Sequence, residues 1–69
     1  MKKWSDRLIE LSKEYLNYTE TRVKSINGEF GFLTIDYKNN IYTISISNSD
    51  KILTFKSVIG IINSGWVVD

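Results

Sequence analysis

The sequence predicts a single two-layer α+β domain. A helix comes first, an antiparallel meander sheet of three to four strands follows, and a short helix ends the chain, in the order α-β-β-β-β-α. Three observations predict this. An apolar stripe at helical spacing opens the chain. From Thr19 onward β-branched and aromatic residues take over, broken at short intervals by turn signals. Two of those turns, read independently, place the same kind of residue on one face of a sheet.

The first helix is expected over about Lys3 to Asn17. Trp4, Leu8, Leu11 and Tyr15 fall at i, i+4, i+7 and i+11, with Ile9 and Leu16 widening the stripe. Lys3, Asp6, Arg7, Glu10, Lys13 and Glu14 take the other side. Ser5 offers an alternative cap, with Asp6 favourable in the first turn and Asn17 as the stop.

Strands are expected near 20–26, 29–37, 41–47 and 51–55. Asn27-Gly28 is the strongest hairpin signal, because both residues tolerate the positive φ of a type I′ turn. Asn39-Asn40 and Asn48-Ser49-Asp50-Lys51 are the next turns. A two-residue loop at Asn39-Asn40 sets Tyr37 opposite Tyr42, Ile35 opposite Ile44 and Leu33 opposite Ile46. A two-residue loop at Ser49-Asp50 sets Ile46 opposite Leu53 and Ile44 opposite Phe55. All of these share one apolar face, which is the expected core. The opposite face carries Phe30, Phe32, Thr34, Asp36, Thr43, Ser45, Ser47, Ile52 and Thr54.

Two segments resist a single reading. A two-residue loop at Asn27-Gly28 puts Arg22 and Lys24 on the core side and Val23 with the phenylalanines. Either the first strand is an edge with splayed charges, or a bulge near Gly28 or Gly31 shifts its register. At the other end, Phe55, Val58, Ile59 and Ile62 keep helical spacing, and Asn63-Ser64-Gly65 is a good helix end with Trp66 packing back. The rival is a strand that turns at the same residues into Trp66-Val67-Val68. The short helix over residues 56–65 is preferred, because a strand apolar on both faces needs covering twice.

Composition narrows the chemistry. The 69 residues include no Cys, His, Ala, Gln or Pro, and the net charge is +1. Disulfides, thiolate sites and imidazole ligands are therefore excluded. The near-neutral balance gives no large field for steering toward a polyanion. The charged start and the lack of a long apolar run argue against a signal peptide or membrane span, so the protein is expected in the cytoplasm. Rich use of Ile, Lys, Asn, Tyr and Phe suggests AT-rich coding, as in a low-GC bacterium, its phage or an archaeal virus.

No catalytic residue is assigned, and the expectation is a protein that is not an enzyme. General acid–base work without His or Cys would need carboxylates, such as Asp36 with Glu29 or Asp50, and surface solvation accounts for all three. Gly28-Glu29-Phe30-Gly31 lies in a hairpin rather than before a helix, so it is not a phosphate loop. Asn39, Asn40, Asn48 and Asp50 lack the charge density of a calcium loop. No metal and no cofactor are expected.

The sequence points instead to binding. Phe30, Phe32, Thr34, Thr43, Ser45 and Ile52 form the candidate partner surface, since two Phe on an uncovered sheet face make an apolar patch. An exposed edge strand offers β-pairing as another route. Nucleic acid is the alternative ligand, through Lys2, Lys3, Arg7, Arg22, Lys24, Lys51 and Lys56 with the two Phe as a stacking platform. A self-assembling subunit that buries the open face between copies is the third reading.

Two resemblances accompany these readings. The element order resembles that of the double-stranded-RNA-binding domain, α-β-β-β-α. That family opens its second helix with a basic cluster, where this chain has Phe55-Lys56-Ser57-Val58-Ile59 and a single Lys. The stretch Asn40-Ile41-Tyr42-Thr43-Ile44-Ser45, followed by a helix ending Asn63-Ser64-Gly65-Trp66, resembles the sheet-to-helix segment of small phage-encoded anti-CRISPR inhibitor proteins. That resemblance implies an inhibitor or adaptor acting on a host protein. Those inhibitors are strongly acidic and imitate DNA, whereas this chain is near neutral, so no site residue carries over.

Overall fold

The structure, a computed structural model, describes residues 4–69. Helix α1 spans Asp6–Tyr15. It starts at Ser5, whose side chain accepts a hydrogen bond from the Leu8 amide, and Asp6 complements the helix dipole in the first turn. The expected start at Lys3 lies outside the described residues. At the far end Asn17 donates its side-chain amide to the Lys13 carbonyl at 2.7 Å, which satisfies one orphan acceptor of the last turn.

Four strands follow: β1 Thr21–Ser25, β2 Phe30–Asp36, β3 Ile41–Ile46 and β4 Ile52–Phe55. Helix α2 is Val58–Asn63 and strand β5 is Trp66–Val68. The five strands form one antiparallel sheet in the order β4-β3-β2-β1-β5.

The core face is the expected one, but each register differs. Across β2 and β3, Ile35 pairs with Tyr42 and Leu33 with Ile44, and the loop holds four residues, 37–40. Across β3 and β4, Ile44 pairs with Leu53 and Tyr42 with Phe55. Both ladders are displaced by two positions from the two-residue loops the sequence suggested. Asn40 and Asn48 adopt positive φ (54° and 61°) near the ends of longer loops. A shift of two preserves which face each side chain occupies. Tyr37 therefore leaves the sheet. Its hydroxyl donates to the Asn17 carbonyl at 2.9 Å and accepts from the Thr19 amide at 3.1 Å.

The β1–β2 hairpin shifts by one, which reverses the faces of β1. Val23 pairs with Gly31 and Arg22 with Phe32. Gly28 at φ 89° inserts the extra residue, and Ser25 donates its amide to the Glu29 carbonyl at 2.8 Å. The buried Ser25 hydroxyl accepts from the amides of Asn27 and Glu29. The bulge thus decides the open question. Val23 enters the core, and Arg22 and Lys24 turn outward.

The last segment corrects the expected ending. Helix α2 is real but short, capped by Ser57, whose side chain accepts from Gly60. Ile61 is its fully buried residue, while Ile59 is exposed. Gly65 at φ 94° then turns the chain. Trp66–Val68 continues as a fifth strand beside β1, with Trp66 opposite Ser25 and Val68 opposite Val23. The element order is α-β-β-β-β-α-β.

Leu16, Val23, Leu33, Ile44 and Ile61 are fully buried, with Ile35, Ile46 and Trp66 beside them. Each such side chain contributes roughly 1.5–3 kcal/mol of transfer free energy. The stripe of α1 is rotated from the expected one. Ser12 and Leu16 are buried, whereas Leu11 and Tyr15 are 36% and 47% exposed. The reason is β5. The Val68 amide donates to the Ser12 hydroxyl at 2.9 Å, and the Trp4 indole donates to the Gly65 carbonyl at 2.8 Å. Helix α1 therefore stands against the β5 edge and sends Leu16 into the core.

Candidate functional site: the outer sheet face

The sheet face away from the core is built in cross-strand rows by the pairing registers. Arg22, Phe32, Ser45 and Ile52 form one row across four strands. Lys24 and Phe30 sit side by side in the next. Thr34, Thr43 and Thr54 form a hydroxylic row toward the other end, followed by Asp36 beside Ile41. All six candidate partner residues, Phe30, Phe32, Thr34, Thr43, Ser45 and Ile52, therefore share this face. Phe30, Phe32 and Ile52 are 55%, 44% and 62% exposed.

Arg22 and Lys24 join them, which the expected register of β1 forbade. The Arg22 guanidinium carbon lies 5.6 Å from the centre of the Phe32 ring. The Lys24 ammonium lies 5.5 Å from the centre of the Trp4 ring. Such contacts stabilise by about 0.5–1 kcal/mol when exposed and leave the cation's charge uncompensated. Among the described residues the ion pair is Lys13 with Glu10 on α1, at 3.3 Å. Neither Arg22 nor Lys24 faces a carboxylate at ion-pair distance.

The other basic candidates do not converge. Lys51 and Lys56 flank β4 at the far edge, and Arg7 is exposed on α1. Lys2 and Lys3 lie outside the described residues. Among the described residues the basic set is split over three parts of the molecule.

Asp36 is occupied by its own turn. Its carboxylate accepts from the Asn39 side chain at 2.8 Å and from the amides of Lys38 and Asn39 at 3.1 and 3.3 Å. The Asn39 side-chain bond, the largest cause, holds its carboxyl below the usual carboxylate range. The pairing order puts Asp36 at the opposite end of the sheet from both Glu29 and Asp50. No carboxylate pair forms there.

Two features escaped the sequence reading. Val67 lies opposite Lys24 on this outer face, yet it is fully buried, at the corner where the Trp4 ring stands by Lys24 and α1 packs along β5. Beside it opens a groove of about 410 Å³, lined by Leu8, Leu11, Tyr15, Lys24, Val68 and Asp69. The exposure of Leu11 and Tyr15 is explained by this groove. Its one signal in the sequence was an apolar stripe too wide for the ten-residue helix to bury.

Among the described residues no helix is long and apolar enough to cross a membrane. No protein-family model, no curated protein and no solved structure matches this chain.

Proposed function

We propose that this protein is a non-enzymatic binding module that engages a partner protein through the outer sheet face. One observation carries the reading: Phe30, Phe32 and Ile52 are exposed together with Arg22 on a sheet face whose next row is hydroxylic. Aromatic residues and Arg are enriched at the centres of protein interfaces. The partner patch is acidic and apolar, since Arg22 and Lys24 bring uncompensated positive charge. The narrower role, an inhibitor or adaptor of a host protein encoded by a phage or other mobile element, rests on size, composition and the resemblance to small anti-CRISPR inhibitors.

The test is a paired capture experiment with crosslinking. The double variant Phe30→Ser, Phe32→Ser is expected to keep its circular dichroism and lose a partner that the parent retains. Arg22→Glu should lose the same partner. A partner held equally by the parent and the folded double variant sinks this surface assignment.

A second reading has its own support. Lys24 and Arg22 alternate with Phe30 and Phe32 in adjacent rows, a pattern suited to single-stranded nucleic acid. Stacking contributes about 1–3 kcal/mol per base on such platforms. Fluorescence anisotropy with a labelled single strand at low salt tests it, because phosphate contacts are strongest there. No rise in anisotropy under those conditions removes the reading.

A further inference from the structure

We propose that strand β4 is the seam of a two-fold dimer, pairing antiparallel with β4 of a second copy about Leu53. The two edges of the sheet are treated differently. At the β5 edge, α1 packs alongside and its Ser12 satisfies the outward Val68 amide, while the Trp4 indole adds a second bond to the Gly65 carbonyl, which already accepts from the Ile26 amide. At the β4 edge, no described residue pairs with the outward groups.

The register fixes which groups those are. The Ile46 amide donates to the Lys51 carbonyl at 3.2 Å, so residues 46 and 51 form a hydrogen-bonded pair. By alternation, Ile44 with Leu53 and Tyr42 with Phe55 are hydrogen-bonded pairs too. The amides and carbonyls of Ile52 and Thr54 therefore point away from β3. Both residues are exposed.

Charge complementarity selects a second copy as the occupant. Lys51 and Lys56 flank β4, and lysines on an edge ordinarily discourage pairing. Antiparallel pairing about Leu53 sets Ile52 opposite the second copy's Thr54, with four backbone bonds. It also sets Asp50 opposite the second copy's Lys56, and two-fold symmetry repeats that pair. Pairing about Ile52 or about Thr54 opposes these charges to neutral residues instead. The strand lengths match because the strands are identical. The seam is short, so the dimer is weak and concentration-dependent, and it extends the sheet and its outer face across both copies. This inference stands apart from the outer-face reading.

The experiment is sedimentation equilibrium of the full chain over a hundredfold concentration range. A monomer–dimer equilibrium is expected. Asp50→Lys and Lys56→Asp should each weaken it roughly tenfold, since two exposed charge pairs become repulsive. The combined charge swap should restore it. Thr54→Pro should abolish dimerisation while sparing the internal ladder, because the lost amide points outward. The charge variants keep the test alive if that proline impairs folding. A monomer at every concentration overturns the proposal. So does a dimer indifferent to these changes, or one dissolved instead by Phe30→Ser with Phe32→Ser.

Discussion

The two halves of the sheet are held by different kinds of contact. The β2–β3–β4 half is a local meander, closed by turns whose bonds span a few residues, such as those from Asn39 to Asp36. The β1–β5 half is closed by the two ends of the chain. Trp4 reaches Gly65 across 61 positions, and Ser12 reaches Val68 across 56. The local half forms with little loop-closure entropy, while the other half gains its bonds only after the rest is in place. The terminal half should therefore be where the fold is most easily undone.

The largest break is expected at Trp66, which is 3% exposed and joins β5 to the core. Trp66→Ala should cost about 3–5 kcal/mol, the range for a large aromatic removed from a packed site. A domain this small has stability of similar size, so the variant should be substantially unfolded. A urea transition read by circular dichroism checks this. A midpoint close to that of the parent would mean that β5 contributes little.

A smaller break isolates the edge contact itself. Ser12 is fully buried; its hydroxyl donates to the Leu8 carbonyl at 2.8 Å and accepts from Val68. Ser12→Ala leaves the Val68 amide without its partner, at a cost of about 1–3 kcal/mol. Ordinarily Ser to Ala inside a helix is slightly favourable, so the sign separates the two accounts. Hydrogen exchange should quicken at Val68. An increase in stability on Ser12→Ala would show that water replaces the hydroxyl at no cost.

The same division explains what could be read in the sequence. The core side of β2, β3 and β4 was legible, because Leu33, Ile35, Ile44, Ile46, Leu53 and Phe55 alternate with hydroxyls, and alternation survives an error of two in register. Loop length was not legible, since Asn40 and Asn48 suit a positive φ in longer loops as well as in a two-residue turn. In β1, a two-residue turn set Arg22 and Lys24 inward with a bulge as the rival, and it is the bulge at Gly28 that turns Val23 into the core. Strand β5 entered only as part of the rival to the short helix, and the chain forms both. Three residues carry no period, and Val67 is buried on the outer face at a corner that distant parts of the chain, Trp4 and α1, help to form. The site followed suit: its hydroxyls and phenylalanines were placed from local alternation, while Arg22 and Lys24 waited on the bulge.

The smallest effect lies in the local half, at Asp36. The Asn39 side chain holds its carboxyl below the ordinary carboxylate value of 3.8. A group whose folded pKa is lowered contributes stability above its unfolded pKa, and that contribution fades as pH falls through the folded value. Asp36 is fully exposed to solvent, so screening keeps the effect slight. Between pH 5 and about pH 2, the parent should lose slightly more of its urea midpoint than Asp36→Asn, which keeps an acceptor for the Lys38 and Asn39 amides but cannot titrate. Other carboxylates act equally in both proteins and cancel in the difference. Parallel midpoint curves would mean that the β2–β3 turn draws nothing from the charge on Asp36. The local half would then rest on backbone geometry alone.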